Sequence, residues 1–350
     1  MSATTHPLQT SAGWLYSPGF DRTFILGVPA LALLAGTYVV SRPEHLGFVL
    51  AANLWLLGYH HVIATFTRIA FDRRSLRENR FLVFVAPVLV LAGTVALALG
   101  VGAWAVPTLY LYWQWFHYTR QSWGVSQVYG ARAMEPPDES PLFAKLCLYL
   151  VPTWGILFRT AQAPAEFLGA EIRVPYIPDW VVASIGAAAG LSVAAWCFTR
   201  VRAWWNGQLA IAHTLYMLSH FVVFFVGYRW IDDLTVGWLV INIWHNAQYL
   251  LFVWLFNTRR FAGGVDDQAG YLSRLSQPDR MLRYFANCLC IATLVYATSL
   301  VWVFDRTWLG LPAVALLYPA INFHHYVVDA KIWKVRKGPL KATLKLGASG

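Results

Sequence analysis

Charge is what this chain has least of. Only 13% of its 350 residues are Asp, Glu, Lys or Arg, against roughly a quarter in a soluble domain. Carboxylates are scarcest, 17 against 27 Lys and Arg. Cysteine is nearly absent. The four present, Cys147, Cys197, Cys288 and Cys290, all sit in apolar runs and read as buried small residues. Cys288 and Cys290 point about 200° apart on a helix and make a poor chelate. A disulfide framework and a Cys-based zinc site are therefore not expected. The N-terminus, MSATTHPLQTSAGW, has no basic n-region and no clean cleavage site, and reads as a short tail and not as a signal peptide.

What fills the chain is apolar. Hydrophobic residues make up 58% of it and the mean hydropathy is +0.48. This is the composition of an all-α, polytopic transmembrane helical bundle. Runs long enough to cross a bilayer, about 20 residues, fall at 24–41, 46–67, 81–103, 107–128, 142–161, 180–199, 208–229, 235–257, 284–304 and 308–330. The third and fourth are nearly continuous and divide at Pro107. The fourth and tenth are the least apolar. The layout predicts one integral-membrane domain over 1–350: a tail (1–23), a bundle (24–330) and a basic tail (331–350). The connector EPPDESP (135–141) and the polar loop 262–280 are ordinary connectors, and 162–178 reads as an interfacial stretch.

The net charge of +10 would suggest nucleic acid in a soluble chain. Here the placement of the basic residues explains it. Twenty lie after the even-numbered spans, from Arg68 and Arg73 to Lys341 and Lys345. Five lie in the opposite loops: Arg42, Arg159, Arg173, Arg229 and Arg306. This alternation predicts both termini in the cytoplasm, a multi-pass protein of the plasma (inner) membrane, and no nucleic-acid partner.

Ten histidines stand out against this background. His6 and His45 lie outside the spans. The other eight are His60, His61, His117, His213, His220, His245, His324 and His325, spread over five spans. With the predicted orientation, all eight fall in one slab between the cytoplasmic interface and the midplane. A lone intramembrane histidine is usually an interhelical hydrogen-bonding residue. Eight in one layer are better explained by function, because ionisable groups are costly in a span.

Imidazole is the commonest side-chain metal ligand and suits iron, zinc and copper. Asp329 is the clear carboxylate of the slab. That scarcity argues against proton relays and against a glutamate-bridged ferritin-like centre. His213 and His220 are about 10 Å apart along one helix. The neighbours in each doublet, His60–His61 and His324–His325, diverge by about 100°. Each doublet thus offers one ligand and one supporting group, or one ligand to each of two ions. Eight imidazoles suit two ions better than one. His325 and Asp329 are four residues apart, on one face, so the carboxylate can hold the imidazole or the metal. Arg120 and Gln121 follow His117, and Asn246 follows His245. Arg120 is placed to hold an anionic head group or to pair with Asp329. Arg68 reads as an interfacial anchor. Aromatics, 16% of the chain, are mostly packing or interfacial belt, and some of those beside the histidines are placed to wall an apolar substrate cavity.

The stretches GYHH (58–61), WFHYTRQSWG (115–124) and WHNAQY (244–249) resemble the isolated intramembrane histidines of the Brp/Blh carotene-cleaving dioxygenases. The broader pattern resembles histidine-rich integral-membrane iron oxygenases of the fatty-acid hydroxylase/desaturase group, although HxxxH and HxxHH boxes are absent. The resemblance implies an oxidoreductase with monooxygenase, desaturase or dioxygenase chemistry. It implies iron, O₂ as cosubstrate and a lipid-soluble substrate among membrane lipids, with an electron-donor protein as partner. The expectation is thus a membrane metal enzyme with a di-iron site: the eight histidines as ligands, Asp329 and Arg120 as catalytic or positioning groups, Gln121 and Asn246 as cofactor-binding groups. Two alternatives stay open: a haem-binding electron-transfer or quinol oxidoreductase with bis-His ligation, and a metal transporter.

Overall fold

The computed structural model describes residues 13–133, 140–334 and 342–344. His6, most of the 135–141 connector and most of the basic tail lie outside them. Ten long helices carry the described chain. They are α1 (Pro18–Ser41), α2 (Pro43–Ile69), α3 (Phe81–Gly100), α4 (Ala105–Arg132), α5 (Pro141–Ala161), α6 (Asp179–Trp205), α7 (Ile211–Trp230), α8 (Leu234–Arg260), α9 (Pro278–Val303) and α10 (Ala313–Ile332). Eight are long and apolar enough to cross a membrane. The other two, α4 and α10, have the length but carry the polar residues noted above. The described strands are two two-residue antiparallel pairs, Glu166–Phe167 with Ala170–Glu171, and Thr307–Trp308 with Leu311–Pro312.

One helix organises the rest. In α8, 94% of the most apolar window is buried, against 17% in α6, so α8 is the axis and α6 lies at the periphery. Trp238, Trp244 and Trp254 of α8 are fully covered. Helix α7 turns into α8 through a close backbone crossing. A Cβ on Gly237 would run into the Gly227 carbonyl oxygen, so only glycine allows this approach.

Several boundaries differ from the sequence expectation. The break between the third and fourth helices falls at residues 101–104, where Gly102 has φ +131°. Pro107 instead sits in the first turn of α4, where its missing N–H costs no helical bond. Residues 13–23 are not a loose tail. Leu15 is fully buried, and the buried Asp21 carboxylate accepts the backbone N–H groups of Leu15 and Tyr16 and the Tyr129 hydroxyl. The 162–178 stretch packs Phe167 edge-on against Trp238 at 5.6 Å and so covers one end of the bundle. Cys147 and Cys288 are buried as expected, but Cys197 is half-buried and Cys290 is exposed on the outside of α9. No described cysteine is in a disulfide.

Four helices contain a π turn. One, Leu54–Tyr59, ends at His60. Such turns shift helical phase and recur at functional sites.

Candidate metal centre

The eight intramembrane histidines divide into two sets of four. His61 of α2, His117 of α4, His245 of α8 and His325 of α10 converge. The His61 and His325 Nε2 atoms are 3.2 Å apart, with their rings nearly perpendicular. Ring centroids of His117 lie 5.0 Å from His245 and 5.1 Å from His325. His61 and His245 are 5.7 Å apart. Asp329 joins them: its Oδ2 is 3.4 Å from His325 Nε2 and 3.8 Å from His117 Nε2. All five residues are at most 7% exposed.

Two overlapping triads, His61–His245–His325 and His117–His325–Asp329, each place their ligand atoms within 4.8 Å of one another. Donors on opposite sides of one ion lie about 4.2 Å apart when each bond is near 2.1 Å. Small side-chain rotations therefore close either triad. Several polar atoms of these residues lack protein partners. His61 Nδ1, His117 Nε2, both ring nitrogens of His245 and Asp329 Oδ2 are buried with no hydrogen bond among the described residues. Buried polar atoms are normally satisfied. Five orphan atoms on four of the five converging residues fit a cation site.

A ring of neighbours fixes the donors. Tyr249, one turn beyond His245, donates its hydroxyl to Asp329 Oδ1 at 2.7 Å. Trp333, one turn beyond Asp329, donates its indole N–H to the Tyr249 oxygen at 3.0 Å. Thr65, one turn beyond His61, places Oγ1 3.0 Å from His325 Nδ1. With Nδ1 protonated toward Thr65, His325 Nε2 is left as the free ligand atom. The Tyr118 ring packs 4.1 Å from His245, and the Tyr326 ring stacks on His117 at 4.4 Å. Both screen the imidazoles from lipid and water.

The remaining four histidines have other partners. His220 Nε2 donates to the Leu148 carbonyl and Nδ1 meets Ser122 Oγ, each at 2.8 Å. His324 Nε2 donates to the Leu82 carbonyl at 2.7 Å. His213 Nε2 lies 3.2 Å from Ser126 Oγ. His60 Nδ1 lies 3.2 Å from the Leu56 carbonyl, and the ring sits edge-on to Phe285. Of the eight histidines expected as metal ligands the structure brings four together, and none of these other four falls in either triad. In both doublets the helical divergence sends one ring inward and its neighbour elsewhere.

The polar neighbours predicted from sequence also separate. Asp329 belongs to the cluster. Arg120 does not pair with it: its Nη2 donates to the Ala330 carbonyl at 3.3 Å on the exposed side. Arg120 and Gln121 instead line a cavity of about 70 Å³ whose wall also includes His117, Asp329 and Trp333. Asn246 donates to Asn242 Oδ1 at 2.8 Å, which Asn53 also meets at 2.7 Å. This amide group continues through Tyr118 to Gln114, which accepts the Trp238 indole N–H. It braces the helices beside the cluster. Arg68 is more than an anchor, because its guanidinium stacks 3.6 Å over Phe256 and 4.8 Å over Trp333. Sequence reasoning missed Tyr249, Trp333, Tyr118 and Tyr326. The first two were detectable, each lying one helical turn beyond a candidate ligand.

No family model matches the chain, and no curated protein or solved structure is significantly similar to it.

Proposed function

We propose that this chain is an integral-membrane, metal-dependent oxidoreductase acting on a lipid-soluble substrate. In this reading His61, His117, His245 and His325, with Asp329, hold one transition-metal ion. The observation that carries it is the convergence of five buried donors from four helices, with polar atoms of four of them left unpartnered. Two ions were the expectation from eight imidazoles. With four of those engaged elsewhere, five donors suit a single ion. Iron is the ion we favour, since imidazoles with one carboxylate suit it. Bound there, it would supply oxidation chemistry with O₂ as cosubstrate.

The chain's own groups divide the remaining tasks. Thr65 and Tyr249 hold the His325 ring and the Asp329 carboxylate in register. Tyr118 and Tyr326 exclude water from the imidazoles. The cavity beside Arg120 and Gln121 is the route by which small reactants reach Asp329 and His117. All ten long helices cross the plasma membrane in this reading, with both termini cytoplasmic, supported by the alternation of basic residues. The centre then lies in the cytoplasmic half, within reach of a soluble electron-donor protein.

The haem alternative is less well supported. Imidazoles in ring contact, with Nε2 atoms 3.2 Å apart, leave no slot for a macrocycle between them. Transport is also less well supported, because the polar network on the far side of His61 is closed around only about 10 Å³.

Elemental analysis and an optical spectrum of the purified protein test the proposal. About one redox-active metal per chain and no Soret band are expected. Metal-free protein that cannot be loaded would sink the site; a Soret band would transfer it to haem.

A further inference from the structure

A second feature lies away from the histidines. A cleft of about 470 Å³ opens between α5 and α6 at the end of the bundle where α5 stops and α6 begins. Its polarity is sorted along its length. Gln162 and Asp179 lie at the mouth, and Trp154 and Gly186 lie about two helical turns, or roughly 10–12 Å, deeper. Such a cleft suits an amphiphile aligned with the helices.

The mouth carries unused charge. Arg229 of α7 lines it, its guanidinium stacked 4.3 Å over the Phe158 ring and 5.8 Å from that of Trp154. Stacking fixes the guanidinium plane and leaves its N–H edge free. Among the described residues it has no ion pair or hydrogen bond. Behind it lies Arg159, 1% exposed, 5.4 Å from the same ring. Its Nη1 donates to Gln162 Oε1 and to the Asp232 carbonyl, while Nε and Nη2 have no hydrogen-bond partner among the described residues. Asp179, exposed at the first turn of α6, is the carboxylate that lines the cleft. One guanidinium with a free N–H edge, Arg229, and one carboxylate, Asp179, line a mouth that leads to an apolar floor.

We propose that this cleft binds one phospholipid with a primary-amine head group, of the phosphoethanolamine kind. The phosphate sits on the Arg229 N–H edge, with Arg159 adding positive potential from behind. The ammonium sits on Asp179, and an acyl chain runs past Phe158 and Trp154 toward Gly186. A head group carrying only negative charge would leave Asp179 opposed. A quaternary amine would offer it no N–H. The site is independent of the metal centre.

The test is native mass spectrometry of the delipidated full chain in detergent, titrated separately with phosphatidylethanolamine, phosphatidylglycerol and inorganic phosphate. One phosphatidylethanolamine per chain should bind in preference to phosphatidylglycerol. Arg229→Ala should weaken it about tenfold, as for loss of one charge-assisted contact, and Arg229→Lys should restore part of it. Asp179→Asn should abolish the preference between the two lipids. Gly186→Leu, whose Cβ would strike the Trp154 indole, should weaken both lipids alike. Thermal unfolding of each variant checks that it is folded. Equal retention by wild type and Arg229→Ala would overturn the proposal, as would equal binding of the two lipids to wild type. Displacement of the lipid by inorganic phosphate would reduce the cleft to an anion site and overturn it too.

Discussion

On α10, His325 turns into a cluster of other imidazoles, whereas its neighbour His324 turns out to the Leu82 carbonyl of α3. The contrast extends to the whole set. Two of the turned-away rings, His220 and His324, meet backbone that a helix has failed to satisfy. The Leu148 carbonyl, which His220 satisfies, would ordinarily accept the N–H of residue 152, and that residue is Pro152, inside α5. The Leu82 carbonyl lies in a π turn that runs into Pro87. In that i→i+5 register its partner would be the proline nitrogen, which has no hydrogen. Proline in a spanning helix is tolerated when a neighbour supplies the missing donor. His220 and His324 supply it. The converging four face one another and a carboxylate, and no backbone group accounts for them. Six of the eight histidines therefore answer two different needs: His220 and His324 repair helices, and the converging four gather nitrogen donors around a small space.

The sharpest way to break this distinction is to delete one member of each set. His245→Ala, or His117→Ala, should reduce bound metal from about one equivalent to near background, because each ion needs about four donors. His220→Ala and His324→Ala should keep the wild-type metal content by elemental analysis. If metal falls equally in both pairs, the division is wrong. Asp329→Asn comes next. It keeps the shape and removes the charge beside His325 and His117. Metal retention against a chelator should fall about 10–100-fold while the fold survives. Retention within about two-fold of wild type would leave Asp329 a packing partner of Tyr249.

His220→Ala should be read on the other axis. It leaves the Leu148 carbonyl unsatisfied beside Pro152, a loss of about 1–3 kcal/mol. Thermal unfolding in detergent should show a clear drop in Tm with metal content unchanged. An unchanged Tm would mean that the carbonyl finds another donor. A smaller effect is expected at the cavity. Gly124 lines it and has open space around it, so Gly124→Trp should fold, retain metal, and slow chelator extraction several-fold. Extraction at the wild-type rate would show that reactants use another path.

The smallest effect lies outside both histidine sets. Asp72 caps the short helix Arg73–Glu78 by accepting the Ser75 N–H, and it pairs with Arg260 at 3.0 Å. Burial pushes its pKa up, but these partners outweigh burial and hold it below the ordinary carboxylate value. A depressed folded pKa contributes stability above the unfolded value, and the contribution is lost as pH falls through the folded one. Asp72→Asn should lower Tm slightly near neutral pH, and the difference from wild type should shrink in acid. A difference that grows in acid would contradict the sign.

Much of this was legible in the residues. Apolar runs marked the helices, because the bilayer requires length and hydropathy that composition records directly. The divergence of each histidine doublet followed from helical geometry, as did the placement of Asp329 on the face of His325. Boundaries were less legible. Pro107 looked like a break and proved to be a tolerated first-turn residue, while the real break lay at Gly102. Asn246 and Arg120 had the right chemistry and the right neighbourhood, yet Asn246 turned to Asn242 and Arg120 to the Ala330 carbonyl. Side-chain direction depends on what the facing helix offers, and that information is not local.

The sequence by itself determined that this chain is built of apolar helices, and that eight imidazoles are spread over five of them. Helical rise and hydropathy act along one segment at a time, so a single segment suffices to read them. Which four imidazoles meet was decided only by the tertiary structure. The choice depends on the rotation of each helix about its axis, which is set by packing around α8, by the π turn before His60, and by the carbonyls that Pro152 and Pro87 leave open. Those constraints come from residues far apart in the chain, and they become mutual only when the bundle closes.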